Sequence, residues 1–141
     1  MSVTSPEDFF GHQLGADRKI ARWDKIVDYF HKLEEESAKI KILEMGESTE
    51  GHPFLVVIVS SEENMGNLDR VKEINKEIVD PGDMEEDEIR PLIEEGKTVV
   101  IQSMSLHATE IGGTQMAPEL AYDLLTGEDE ETKRILENVI S

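Results

Sequence analysis

The sequence predicts an α/β fold in which a mixed β-sheet carries helices on both faces. Three observations predict it. Two short apolar segments flanking the turn-like stretch Gly46 to Gly51 read as a β-hairpin. After the hairpin, helical stretches with one apolar face alternate with further strand-like runs. The second hairpin segment, Phe54 to Val59, is apolar at every position, as in a strand covered on both sides.

Each element follows from its local pattern. Ser5 to Gly15 reads as an irregular lead-in containing Pro and Gly. Trp23, Ile26, Val27, Phe30 and Leu33 recur at helical spacing, which predicts a helix over about residues 21–37 with one buried face. Ile40 and Ile42 alternate with Lys41 and Leu43 in the first strand. Asn67 is placed to cap a helix reaching Val79, with Leu68, Val71, Ile74 and Ile78 on one face. Asp83 and Glu86 have capping-box spacing for a short helix ending near Gly96, and Pro91 predicts a break or kink inside it. Thr98 to Leu106 reads as a buried strand. Residues 114–125 form a helix with Met116, Ala117, Leu120, Ala121 and Leu124 inward, and residues 128–138 form a last helix with Ile135 and Leu136 inward. Asn138 to Ile140 leads into a further strand. No repeat, low-complexity tract or linker divides the chain.

Composition narrows the function. The net charge of −18 opposes binding to nucleic acid or anionic membranes, whose charge is also negative. The charge is that of a solvated acidic surface, or alternatively one that attracts basic substrates. No apolar run is long enough to span a bilayer. Met1 to Phe10 lacks the basic start and apolar stretch of a secretory leader, so the expectation is a protein retained in the cell or one whose leader has been removed. With no cysteine, any metal must be held by His and carboxylates.

The dense acidic run Met84 to Glu88 lacks the Asp-x-Asp-x-Asp-Gly order of a calcium loop and reads as an exposed helix start. The stretch that points to chemistry is Ser105 to Gly113. It places His107 and Glu110 three residues apart, between an apolar strand and a helix. Ligands of open α/β sheets bind at the carboxyl ends of strands. An imidazole and a carboxylate suit zinc, and Gly112 and Gly113 would allow a sharp turn into the helix. A carboxylate favoured by a helix N-terminus, beside a hydrogen-bonded strand-end histidine, reads equally well. The spacing alone does not decide, because His31 and Glu34 repeat it inside the first helix, where an exposed side-chain pair is expected. His12 and His52 lie in loop-like sequence without a partner at short spacing and read as surface residues.

Leu106-His107-Ala108-Thr109-Glu110, followed by Gly113-Thr114-Gln115-Met116-Ala117-Pro118-Glu119-Leu120, resembles the carboxypeptidase A-like zinc peptidases, particularly their bacterial members. Ser5 to Phe10, Ala21 to Asp24 and Thr49 to Pro53 resemble the same subgroup, so the likeness runs from about Ser5 to Ile140. The resemblance implies that His107 and Glu110 are two ligands of one zinc ion, and that the protein hydrolyses peptide substrates with a zinc-activated water. It also implies that residues 1–141 are the N-terminal portion of a single catalytic domain, with 1–20 as lead-in and the sheet incomplete. The third ligand, the general-base Glu and a substrate-binding Arg are then expected beyond Ser141. The chain alone is expected to be inactive, with no catalytic residue of its own. Thr109 stands where many members have a substrate-binding Arg, so that role does not carry over. Two other readings remain: a zinc amidohydrolase of N-acyl amino acids resembling aspartoacylase, and a scaffold without activity.

Overall fold

In the computed structural model, residues 2–107 and 109–141 are described; Met1 of the N-terminal stretch and Ala108 of the His-x-x-Glu stretch lie outside them. The hairpin is as expected: β1 (Ile40–Glu47) runs antiparallel to β2 (Pro53–Val59), with Ile40 opposite Val59 and Ile42 opposite Val57. A second ladder pairs β3 (Thr98–Val99) in parallel with β4 (Val139–Ile140). Val59 and Ser141 exchange backbone hydrogen bonds of 2.6 and 3.0 Å and so join the two ladders.

Helices cover both faces, and the alternation of β2 decides what each face holds. Leu55, Val57 and Val59 turn to the larger core. There they meet Ile26, Tyr29, Phe30 and Leu33 of α2 (Trp23–Glu36) and Ala121 and Leu125 of α6 (Ile111–Thr126). Ile58 turns the other way, against Leu68 and Val71 of α4 (Leu68–Val79) and Ile140 of β4. Each fully buried aliphatic side chain of α2 contributes about 1.5–3 kcal/mol, so this helix anchors the hairpin. Phe54 and Val56, on the outward face of β2, remain exposed.

Several expectations are corrected. The lead-in contains a helix, α1 (Pro6–Phe10), because Ser5 accepts from the Asp8 N–H, Pro6 fits the first turn and Gly11 stops it at φ 72°. Asn67 precedes α4, but its amide donates to the Glu63 carbonyl of the short helix α3 (Glu62–Gly66) and makes no cap. The capping box of α5 (Glu86–Glu95) is formed by Glu85 and Glu88, not by Asp83 and Glu86. Pro91 does not split α5: it stands on the water-facing side, and Leu92 still accepts from Gly96 beyond it. The strand expected from Thr98 to Leu106 pairs only at Thr98 and Val99, with one further bond from Val100 N–H to the Ile140 carbonyl. Beyond that the segment has no strand partner among the described residues, and Ile101 is 90% exposed. Met116, expected inward, is also exposed.

Polar atoms fix where β4 begins. The last turn of α7 (Glu130–Asn138) leaves carbonyls without partners inside the helix. Buried Asn64 donates to the carbonyls of Leu136 and Glu137, the Ser61 N–H also reaches Leu136, and Lys97 reaches Glu137. The buried Ser60 hydroxyl lies 2.7 Å from the Val139 carbonyl. The chain is thereby steered out of α7 and into the sheet.

Candidate metal centre

The candidate site lies where the segment after β3 turns into α6. Ser103 donates to the Ser105 carbonyl and Ser105 to the His107 carbonyl, so small exposed hydroxyl side chains brace the turn. Glu110 is the N-cap residue of α6, yet its side chain points back along the chain. Its Oε2 accepts from the N–H groups of Leu106 (3.1 Å) and His107 (3.0 Å). Its Oε1 faces His107 Nδ1 at 2.8 Å. The His107 bond first, then the two backbone donors, hold the Glu110 carboxyl below its ordinary range. An ionised carboxylate only accepts, so Nδ1 carries the proton of this bond.

The glycines act differently from the expectation. Gly112 and Gly113 lie inside α6, not in the turn before it. A side chain at Gly112 would meet open space. A Cβ at Gly113 would overlap the Met104 carbonyl oxygen, so only glycine lets the helix start pack against the segment that carries the site.

Two donors therefore face each other in the irregular segment between β3 and α6. Ligands of one tetrahedral zinc, at about 2.1 Å each, stand about 3.4 Å apart, so the pair would have to separate by about 0.6 Å to share an ion. Ligation through Nδ1 would require its proton to move to Nε2 or to leave. Both side chains are open to water, His107 at 69% and Glu110 at 52%. No group of three potential metal ligands occurs among the described residues.

The other histidines are arranged differently. His31 sits on α2 with Nδ1 3.7 Å from Glu34 and Nε2 3.5 Å from Glu44 of β1. Glu34 is engaged by the Ile42 N–H at 2.8 Å. This third partner, Glu44, is not evident from local spacing, although its alternation in β1 puts it on the face toward α2. His12 lies against the Phe10 ring and His52 is exposed in the hairpin turn. Glu85 to Glu88 open α5 as exposed residues.

A sequence model of the zinc carboxypeptidase family matches residues 26–140, from the first core turn of α2 to the end of β4. No curated protein and no solved structure matches the chain. The match takes in the hairpin, both cores and the His107–Glu110 turn, and it covers most of the sequence; the chain belongs to the zinc carboxypeptidase family.

Proposed function

We propose that the protein is a zinc-dependent metallocarboxypeptidase-type hydrolase of peptide bonds, and that His107 and Glu110 are two of its zinc ligands. The observation that carries this reading is the 2.8 Å approach of His107 Nδ1 and Glu110 Oε1, within a chain of this family. Residues 1–141 are the N-terminal portion of one catalytic domain of the bacterial-type subgroup. The third ligand, the general base and the substrate-anchoring Arg belong to sequence beyond residue 141.

When bound, zinc polarises a carbonyl and makes water a nucleophile near neutral pH. The chain's own residues prepare for that chemistry. The His107 ring first, then the N–H groups of Leu106 and His107, favour the ionised Glu110 carboxylate, and the two N–H groups hold one of its oxygens while the other faces the imidazole. Gly113 seats the turn on α6, and α6 is anchored in the main core through Ala121 and Leu125. Catalytic sites use three protein ligands, so residues 1–141 alone bind zinc weakly and have no turnover.

The test is hydrolysis by the protein encoded by the whole gene, with zinc and after chelation, on peptides and on N-acyl amino acids. Zinc-dependent release of amino acids from peptides is expected. Cleavage of N-acyl amino acids with peptides untouched would replace this reading with the amidohydrolase one. Inactivity on both would favour the scaffold.

A further inference from the structure

Helix α6 carries a candidate metal ligand at its start and its core packing further along. Glu110 is its N-cap residue. The α6 residues that pack in the main core begin only at Ala117 and continue with Ala121, Leu124 and Leu125, and Pro118 is fully buried. Ahead of them Ile111, Gly112 and Met116 are open to water. The backbone ladder is also interrupted between the two parts. Pro118 has no N–H, so the Thr114 carbonyl lacks its donor four residues on. Apolar packing therefore does not hold the first turn of α6, and one rung joining it to the packed part is missing.

Gln115 supplies the attachment. Its Oε1 accepts from the Ala21 N–H at 2.7 Å, and its Nε2 donates to the Ala21 carbonyl at 2.9 Å. Both backbone groups of one residue are engaged, as a paired β-strand would engage them. Only one orientation of the amide satisfies both bonds, so the side chain is fixed in direction as well as distance. Ala21 is itself 6% exposed, within the main core, just ahead of α2. Among the described residues, no other side chain of residues 111–116 makes a hydrogen bond. Gly113 lets the turn lie against the Met104 carbonyl, and Gln115 fastens the turn to the core.

We propose that Gln115 is a positioning residue of the metal site: by tying the first turn of α6 to Ala21, it fixes where Glu110 stands relative to His107. The proposal rests on the reading of His107 and Glu110 as zinc ligands, and it adds a residue hydrogen-bonded to neither. Groups that orient metal ligands contribute about 10–100-fold to metal affinity.

The experiment uses the protein encoded by the whole gene. Gln115→Met keeps the length of the side chain and removes both hydrogen bonds. Leu125→Val is the comparison, since it trims core packing at the far end of α6 and leaves the bridge intact. Gln115 is half-buried and Leu125→Val removes one methylene, and a thermal melt checks that both variants fold. In the zinc-free protein, the amide proton resonances of Leu106 and His107, which Glu110 holds at 3.1 and 3.0 Å, should shift in Gln115→Met and stay in place in Leu125→Val. Zinc affinity, read against a competing chelator, should fall about tenfold in Gln115→Met and be unchanged in Leu125→Val. Resonances that stay in place in Gln115→Met overturn the positioning role, whatever happens to zinc. Equal shifts in Leu125→Val also overturn it, because Gln115 would then act through stability alone. Shifts in Gln115→Met with zinc affinity unchanged overturn its role at the metal. Shifts confined to Gln115→Met, in a protein whose parent form binds no zinc, sustain Gln115 as the residue that positions Glu110 and count against the zinc reading.

Discussion

His31–Glu34 and His107–Glu110 share one spacing and differ in what surrounds it. The first pair is held by regular structure: α2 fixes both side chains, whose closest approach is 3.7 Å, and each also engages β1, His31 at Glu44 and Glu34 at Ile42. The second pair sits on a turn whose backbone donors point inward, and there the donors close to 2.8 Å. A helix offers this spacing as a stacked surface pair, whereas an irregular turn can fold both donors onto one point. The motif is therefore defined by the backbone beneath it, and the sharpest tests alter that backbone.

The largest effect is expected at Gly113. In Gly113→Ala the new methyl collides with the Met104 carbonyl, and either α6 or the segment after β3 must move. The segment is exposed and will be the part that moves, costing about 1–3 kcal/mol in a denaturant melt and abolishing zinc binding. Gly112→Ala meets nothing and removes a helical glycine, so it should be neutral or stabilising by up to about 1 kcal/mol. Equal effects at the two glycines would refute the close approach as the feature that forms the site.

Next in size is zinc binding itself. Calorimetry on residues 1–141 should show weak binding that His107→Ala eliminates and His31→Ala leaves unchanged, since two protein ligands leave a tetrahedral site half filled. Tight binding that survives His107→Ala would move the metal elsewhere in the chain.

These contrasts also indicate what the sequence could and could not disclose. Helix α2 was legible because Ile26, Phe30 and Leu33 obey the helical period, and the hairpin because Ile40 and Ile42 alternate before a glycine turn. The His107–Glu110 pair was legible as a candidate because its spacing falls just before a helix, although the strand expected on its other side stops at Val99. Thr98 to Leu106 was misread because an apolar run states only a preference: a strand also needs a partner, and β4 offers two residues. The caps failed for a related reason. Glu85 caps α5 where Asp83 was expected, since several polar residues compete within one turn and packing selects among them, and the Asn67 amide is taken by the Glu63 carbonyl instead of capping α4. The links from Gln115 to Ala21 and from Asn64 to Leu136 join residues far apart in sequence, and no local pattern contains them.

A smaller effect concerns protonation. Glu110 should titrate below the ordinary carboxylate range, chiefly because of the His107 ring and then because of the two backbone donors. A depressed folded pKa means that the tether is fully present above the unfolded carboxylate pKa and is lost as pH falls through the folded value. Side-chain carboxyl NMR should show His107→Ala moving the Glu110 midpoint upward. An unchanged midpoint would assign the shift to the backbone donors alone.

The smallest effect is expected from His31→Ala. Its two carboxylate contacts, at 3.5 and 3.7 Å, are longer than a well-formed charge-assisted hydrogen bond. The imidazole is 39% exposed, so water screens both contacts. Removing it leaves the Glu34 bond to Ile42 N–H in place, and that bond, rather than the ring, ties the end of α2 to β1. Alanine is also the better helix former, which offsets part of any loss. The melting midpoint should correspond to a change within about 0.5 kcal/mol, as at most surface positions. A loss of 2 kcal/mol or more, well above the roughly 1 kcal/mol ceiling of surface ion pairs, would show that His31, Glu34 and Glu44 act as a coupled network. The contrast between the two pairs would then be one of role rather than of strength.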